Sequence, residues 1–295
     1  MKKILFGLGI SCCLLWCSVS LKAQSIGDAE EEQNYNDFYK RELRTGKQAM
    51  PFIHVRDIDV VWETAIWRKI DFREKFNQFF FYPTETERNA QGRINLVNTL
   101  LQALRNGEIE VFEDDDMKVP VDFEQVWGTL NRERPLSIPI YNEWDEIIGT
   151  KDSIVHEEFD PESVLGANLK EWWYIDREDT RQKVRIVGLS LFRNDCRDRD
   201  GERECNTISM FWVPMNDMRV RNVLVKARAF DERNNVSRRS YDDIFVERYF
   251  DSFVTRVTNT KNRPINSYLT GVDAILESQA IEDELFNIES DMWEY

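Results

Sequence analysis

Histidine is almost missing: His54 and His156 are the only two among 295 residues. That leaves little material for a histidine-based metal site or general base. Glycine (12) and proline (8) are sparse, which excludes a collagen-like or proline-rich linker architecture. Positive charge is also short, with 39 Lys and Arg against 54 Asp and Glu and a formal net charge of −15. Such a balance opposes sequence-independent affinity for phosphate backbones, so no nucleic acid is expected as a partner. No glycine-rich phosphate loop is present, and beyond the N-terminus no apolar run is long enough to cross a bilayer. What remains is 42% hydrophobic and 12% aromatic, which suffices for a packed core in one domain or two.

The N-terminus carries the clearest local pattern. Met1, Lys2 and Lys3 form a positive start, Ile4 to Leu21 an apolar region, and Ala23 a small residue before Gln24. These are the parts of a secretory signal peptide over 1–23, cleaved after Ala23. A lipoprotein signal fits less well, because Cys17 follows the large Trp16 and Cys12 follows only a very short apolar run. Removing Lys2, Lys3 and Lys22 takes the formal charge from −15 to −15 − 3 = −18. Cys12, Cys13 and Cys17 leave with the leader, so Cys196 and Cys205 remain. They flank a polar turn centred on Asp200-Gly201, and a disulfide closing a hairpin tip is the structural reading. A redox pair is the functional alternative, but the nine-residue spacing resembles no redox-active motif.

Residues 24–56 lack a sustained apolar period and read as an extended N-terminal arm. Residues 57–295 read as a globular domain with a possible sub-boundary near 135–170. The stretch Asp57 to Asp116 supplies its densest apolar content. Ile94, Val97, Leu101 and Leu104 predict an amphipathic helix ended by Asn106-Gly107. The segment from Glu63 is expected to be helical or split by an extended piece, and Ile109 with Val111 predicts a short strand leading into an acidic loop, Glu113 to Asp116. Phe123, Val126, Trp127 and Leu130 predict a short helix. Pro135 and Pro139 are expected to break the pattern, and Gly149 to Asp152 to form a turn. Trp172 to Ile175 and Val184 to Leu191 predict a hairpin, with Ile208 to Val213 returning beside it. Ser240 with Asp243 has the form of a helix start, followed by an apolar face reaching Val257 and, after Pro264, by a last helix. The fold class expected is α+β: a small, mainly antiparallel sheet with packed helices.

No catalytic constellation emerges. Gly188-Leu189-Ser190-Leu191-Phe192 begins like a nucleophile elbow, but Phe192 stands where glycine is needed. Asp198 to Gly201 lacks the ligands of a calcium loop. The acids Glu113 to Asp116, or Glu157, Glu158 and Asp160, suggest weak cation binding or a glycosidase pair, yet a solvated acidic face explains them. No metal site and no cofactor is expected.

Several segments in order resemble the GldN family, called PorN in non-gliding bacteria, of the Bacteroidetes type IX secretion system. They are Trp67-Arg68-Lys69-Ile70-Asp71 with Arg73-Glu74-Lys75, Tyr82-Pro83-Thr84, the helix ending Asn106-Gly107, the Trp172-Trp173 to Gly188 hairpin, the helix start Ser240 to Phe245, and the ending Phe286 to Tyr295. The resemblance implies a non-enzymatic periplasmic building block at the inner face of the outer membrane. It further implies pairing with an outer-membrane lipoprotein of the same system (GldK/PorK-like), self-assembly in a ring, and contact with the periplasmic part of an inner-membrane motor protein (GldM/PorM-like). Tyr35, Phe38 and Tyr39 of the arm and the aromatic end Trp293 and Tyr295 are the segments expected at partner interfaces. Two other classes are compatible with the residues: a carbohydrate-binding or carbohydrate-active protein using Trp172 and Trp173, and a small-molecule carrier with a pocket under the hairpin.

Overall fold

A computed structural model describes residues 47–84, 93–141, 147–157, 159–179, 181–199, 202–232, 234 and 237–293. Its centre is the predicted hairpin. β6 (Val164–Asp176) and β7 (Gln182–Arg199) pair antiparallel, and β8 (Glu202–Pro214) returns beside β7 with Leu189 opposite Val213. Four further strands complete a seven-stranded sheet in the order β3-β2-β8-β7-β6-β1-β9, antiparallel throughout. These are β1 (Val60–Asp71), β2 (Val111–Phe112), β3 (Pro120–Val121) and β9 (Phe253–Val257). With five α-helices among the described residues the fold is α+β.

Directly paired residues share a face of a sheet, so the ladder sorts the side chains. The row Arg68, Leu169, Leu189, Val213 and the row Ile70, Ala167, Leu191 belong to one face, called inner here. Its apolar members join the main core with residues of α1 (Leu96–Arg105), α2 (Phe123–Leu130), α3 (Met218–Lys226) and α4 (Tyr241–Val246). The predicted helix is α1: the Asn95 side chain accepts from Asn98 N at 2.8 Å, and Gly107, at φ +69°, ends it. Phe80 is fully buried between the rings of Phe72, Tyr241 and Phe245, at 5.4, 6.0 and 5.4 Å, which accounts for the aromatic run Phe79 to Tyr82. The fully buried Tyr241 hydroxyl donates to Phe79 O and Ile94 O, and burial raises its pKa.

A second, smaller cluster joins Ile66, Val254, Ile265 and Leu285 on the same face, under α5 (Val272–Trp293). Ser278 Oγ accepts the Val254 N–H at 2.9 Å, and Arg68, 8% exposed, reaches Ser252 and Glu282. The helix thus covers edge strand β9 and gives one of its backbone donors a partner, which prevents strand addition there.

The structure corrects four local expectations. The segment from Glu63 is strand β1, not helix: Ile66 and Ile70 are buried on the inner face while Trp67 is covered on the outer one, so period-two alternation is hidden. Pro135 and Pro139 lie inside strand β4 (Arg132–Tyr141), which pairs only with β5 (Ile147–Glu157) in a separate ribbon. Their spacing of four puts both nitrogens on one edge of β4, and a two-stranded ribbon has a free edge where no ladder bond is lost. Gly149 to Asp152, expected as a turn, belongs to β5. The helix beginning at Tyr241 ends at Val246, and Phe253 to Val257 is a strand. Helix α3, absent from the sequence reading, completes the inner layer.

Candidate interaction surfaces

The outer face is built from rows that alternate with the core rows. Lys69, Asn168, Ser190 and Trp212 form one, Trp67, Lys170 and Gly188 the next, then Ala65, Trp172 and Arg185. No described helix is part of this layer. Instead, the loop between β2 and β3 folds across it. Trp67 Nε1 donates to Asp115 Oδ2 at 2.9 Å, Arg256 pairs with the same carboxylate and lies 3.6 Å above the Trp67 ring, and Lys170 Nζ donates to Asp115 O at 2.8 Å. Asp116 accepts from Lys170 at 3.3 Å and from Lys118 at 2.9 Å. Met117, at φ +52°, turns the loop onto Gly188, where an added Cβ would stand 2.7 Å from Met117 Cε. The acidic loop is therefore not simply a solvated face: Asp115 and Asp116 are held by cations of the sheet. Nothing local in the sequence reveals this, because Trp67, Lys170 and Arg256 are far away along the chain.

Replacing Asp115 with alanine strands the Trp67 donor and Arg256, while Lys170 keeps the carbonyl of residue 115 and Asp116, and a loss of about 1–2 kcal/mol is expected. Urea unfolding of the variant checks it, together with the rate of proteolytic nicking within Glu113 to Val119. An unchanged midpoint and nicking rate would mean that water serves these donors equally well.

Beside the loop the outer face is open. Arg185 lies between the rings of Phe52 and Tyr174, at 5.0 and 6.0 Å, and donates to Ile53 O at 2.8 Å. Phe52 also stacks on Arg221 at 4.0 Å, so the segment before β1 is fastened along this end of the sheet. Ile53 is 84% exposed here, and the exposed Glu63 stands opposite Tyr174 on the same face. On the other side of the molecule α5 buries Ser278 and Leu285 and leaves Val272, Ile275, Leu276 and Phe286 between 58% and 70% exposed.

A cleft of about 680 Å³ opens between the 3-10 turn Lys75–Phe80 and the loop before α4. Phe76, Phe79, Tyr82, Phe230 and Tyr249 line it with Lys75 and Arg239. Arg239 stacks 4.0 Å from the Tyr249 ring, and Phe76 meets the same ring at 4.8 Å. The cleft is not under the β6–β7 hairpin, where a carrier pocket was expected.

The sequence-derived candidates fall in several places. Tyr35, Phe38, Tyr39, Tyr295 and Glu158 lie outside the described residues, and Trp293 is the last residue of α5. Cys196 stands directly opposite Cys205 in the β7–β8 register, where the two strands extend beyond the sheet as a two-stranded tip. Ser190 is buried, 2.7 Å from Ser209 Oγ. Trp172 and Trp173 point to opposite faces: Trp173 donates to the buried Glu171 at 2.9 Å and joins the α5 cluster, so the pair forms no common platform for a sugar ring. Asp160 caps a 3-10 turn, accepting from Glu162 N at 2.9 Å. Among the described residues no group of three or more His, Cys, Asp or Glu is placed to hold a metal ion, and no helix is long and apolar enough to cross a membrane.

Several carboxylates are tuned by neighbours. Hydrogen bonds from Arg73 lower the pKa of Asp71, those from Lys118 and Lys170 lower that of Asp116, and hydrogen bonds from Arg219 outweigh burial at Asp217. Glu74 moves the other way, raised by burial and then by Asp251 and Asp71. A depressed folded pKa gives stability that is present above the unfolded value near 4 and lost as pH falls through the folded one. The raised Glu74 contributes in the opposite sense, as a single group. The melting temperature is thus expected to fall on acidification below about pH 4, and a melt unchanged from neutral pH down to that range would refute it.

Residues 55–294 match the family model described as "Gliding motility associated protein GldN". No curated protein matches the sequence.

Proposed function

The chain belongs to the GldN family, associated with gliding motility, and from that premise we propose that it is a non-enzymatic structural component of the type IX secretion and gliding machinery. In this reading it is exported by its leader and held at the periplasmic face of the outer membrane through a lipoprotein partner. Copies assemble into a ring-like scaffold that meets the periplasmic part of a motor protein. The family match over nearly the whole mature chain carries the reading. The surfaces are compatible with it: the exposed apolar groups of α5, Val272, Ile275, Leu276 and Phe286, offer area for packing against another protein. In the oxidising periplasm, Cys196 and Cys205, opposite in register, would form the disulfide expected from their spacing.

The test is affinity purification of a C-terminally tagged copy from gently solubilised envelopes, with mass spectrometry and electron imaging of the particles. A stoichiometric lipoprotein in ring-shaped particles is the expected result. A lone monomer without any envelope partner would overturn the scaffold reading.

A further inference from the structure

The ribbon of β4 and β5 stands outside the seven-stranded sheet, and among the described residues no third strand pairs with it. Two strands alone are marginally stable in water, and their outer edges offer unpaired backbone groups to any extended chain. The two edges are not alike. Pro135 stands opposite Ile154 and Pro139 opposite Thr150. Proline has no N–H to exchange, so both are non-hydrogen-bonded pairs, and the backbone groups of their members point away from the neighbouring strand. The outer edge of β4 therefore lacks two of its donors, which blunts it against further pairing. On β5 the same register turns the N–H groups of Thr150, Asp152, Ile154 and His156 outward, and no proline interrupts the strand.

The tip of β7 and β8, also two-stranded, is protected differently. Beyond Asn194 it sets Cys196 opposite Cys205, Arg197 opposite Glu204, Asp198 opposite Arg203 and Arg199 opposite Glu202. Opposite charges face each other in consecutive pairs, and so dense a run of charge discourages a further strand on either side. β5 has no such run. Between Ile147 and Val155 its charged residues are Lys151 and Asp152, and Ile147, Ile148, Thr150, Ile154 and Val155 are of types that suit a strand. The β4–β5 ribbon is thus closed to pairing on one side and open on the other.

We propose that the outer edge of β5 is a strand-addition site, which takes an extended segment of a different protein over Thr150 to His156. Main-chain hydrogen bonds supply the affinity, and the residues that meet Lys151 and Asp152 supply selectivity. A fitting segment is rich in β-branched residues, with an acid beside Lys151 and a base beside Asp152. A second copy of this chain is a poorer occupant. Its β4 edge carries the two prolines, its β7–β8 tip is rich in charge, and pairing two β5 edges would join chains of formal charge −15 each. The contact rests on the scaffold reading, in which the chain is packed against other proteins, and names an edge through which one of them is held.

Hydrogen exchange tests it, read residue by residue along β4 and β5 by electron-transfer fragmentation. The isolated mature chain is compared with tagged copies in particles from gently solubilised envelopes. In the isolated chain the outward amides of β5 should exchange as fast as those of Glu133 and Ser137 on β4. In the particles Thr150, Asp152, Ile154 and His156 should slow by about tenfold or more, while Glu133 and Ser137 stay fast. A variant with Thr150→Pro and Ile154→Pro copies the β4 edge onto β5. It removes no bond between β4 and β5, so its melt should match wild type, yet Asp152 and His156 should exchange fast in its particles as well. A fast β5 edge in wild-type particles, equal slowing at both edges, slowing that grows with concentration in the isolated chain, or a proline variant that keeps the slow edge would each overturn the proposal. Ring particles with a fast β5 edge would overturn the strand contact alone, whereas a lone monomer in the envelope sample would overturn the scaffold reading with it.

Discussion

Replacing Gly166 with alanine is expected to cost about 3 kcal/mol or more, enough to threaten folding of the domain. Gly166 stands in β6 opposite Asp71 on β1 and Phe192 on β7. A Cβ at this position would lie 2.1 Å from Ile70 O and 2.5 Å from Phe192 Cζ. A flexible side-chain tip can swing aside from such a contact, but a carbonyl in a strand can retreat only by deforming its ladder. The register also shifts between Val164 and Gly166, and Phe72 N donates to Leu165 O at 2.9 Å, so the backbone here is tied to both neighbours. Gly107→Ala is a useful contrast: nothing lies near its Cβ, and its cost comes only from the left-handed φ of +69°, about 1 kcal/mol. Urea midpoints of the two variants check the ranking. Equal losses would show that β1 can move away from β6 without breaking the sheet.

How far the sequence reveals this fold depends on whether one face of an element meets water. Helix α1 and the hairpin β6–β7 with its return β8 are legible because their apolar residues keep a helical or strand period. β1 is not, since Ile66 and Ile70 face the core while Trp67 is roofed by the loop carrying Asp115; the adjacent apolar residues Ala65, Ile66 and Trp67 and the buried, inward-facing Arg68 hide the alternation. β9 escaped because Phe253, Val254 and Val257 follow α4 closely enough to continue its apolar spacing. α3 escaped because Arg219, Arg221 and Lys226 make a nine-residue helix look like a polar link, although Arg221 is only 3% exposed.

The surfaces were harder still. The outer face takes Trp67, Lys170 and Arg256 from three strands and its acidic cover from a fourth segment. Local composition gives no sign of that convergence, and the same acids read as solvated. The two stripes of α5 are partly visible in its residues, but which of them is buried follows only from where Arg68 and Val254 sit. Tyr35, Phe38 and Tyr39 are expected at partner interfaces because an arm without a sustained apolar period can order on a neighbouring subunit. The exposed Ile53, whose carbonyl accepts from Arg185, belongs to a surface that only the folded arrangement of Arg185, Phe52 and Tyr174 reveals.

That same N-terminal stretch is fastened by a buried ion pair, and breaking it is the second large effect expected. Arg221 Nε and Nη2 donate to the two oxygens of Asp242 at 2.9 and 3.0 Å, with side chains 3% and 8% exposed. The remaining donor, Nη1, reaches Met50 O, while Phe52 covers the guanidinium at 4.0 Å and Ala49 N donates to Asn222 Oδ1 at 2.8 Å. α3, α4 and residues 49–52 are therefore joined at one point. Asp242→Ala leaves the guanidinium buried without its counter-charge, and about 3–5 kcal/mol should be lost. Arg221→Met with Asp242→Leu removes both charges together and should recover much of this loss, because the pair was desolvated before it could attract. The double variant also lacks the donor to Met50 O, so residues 47–53 should exchange amide hydrogens faster even where global stability returns. Such a split between a restored melt and a loosened segment would identify Arg221 as the tether of the surface around Ile53. If the double variant melts like the single one, the fork contributes through its geometry and not through paired charge. If exchange of residues 47–53 is unchanged, Phe52 and Ala49 hold the segment without it.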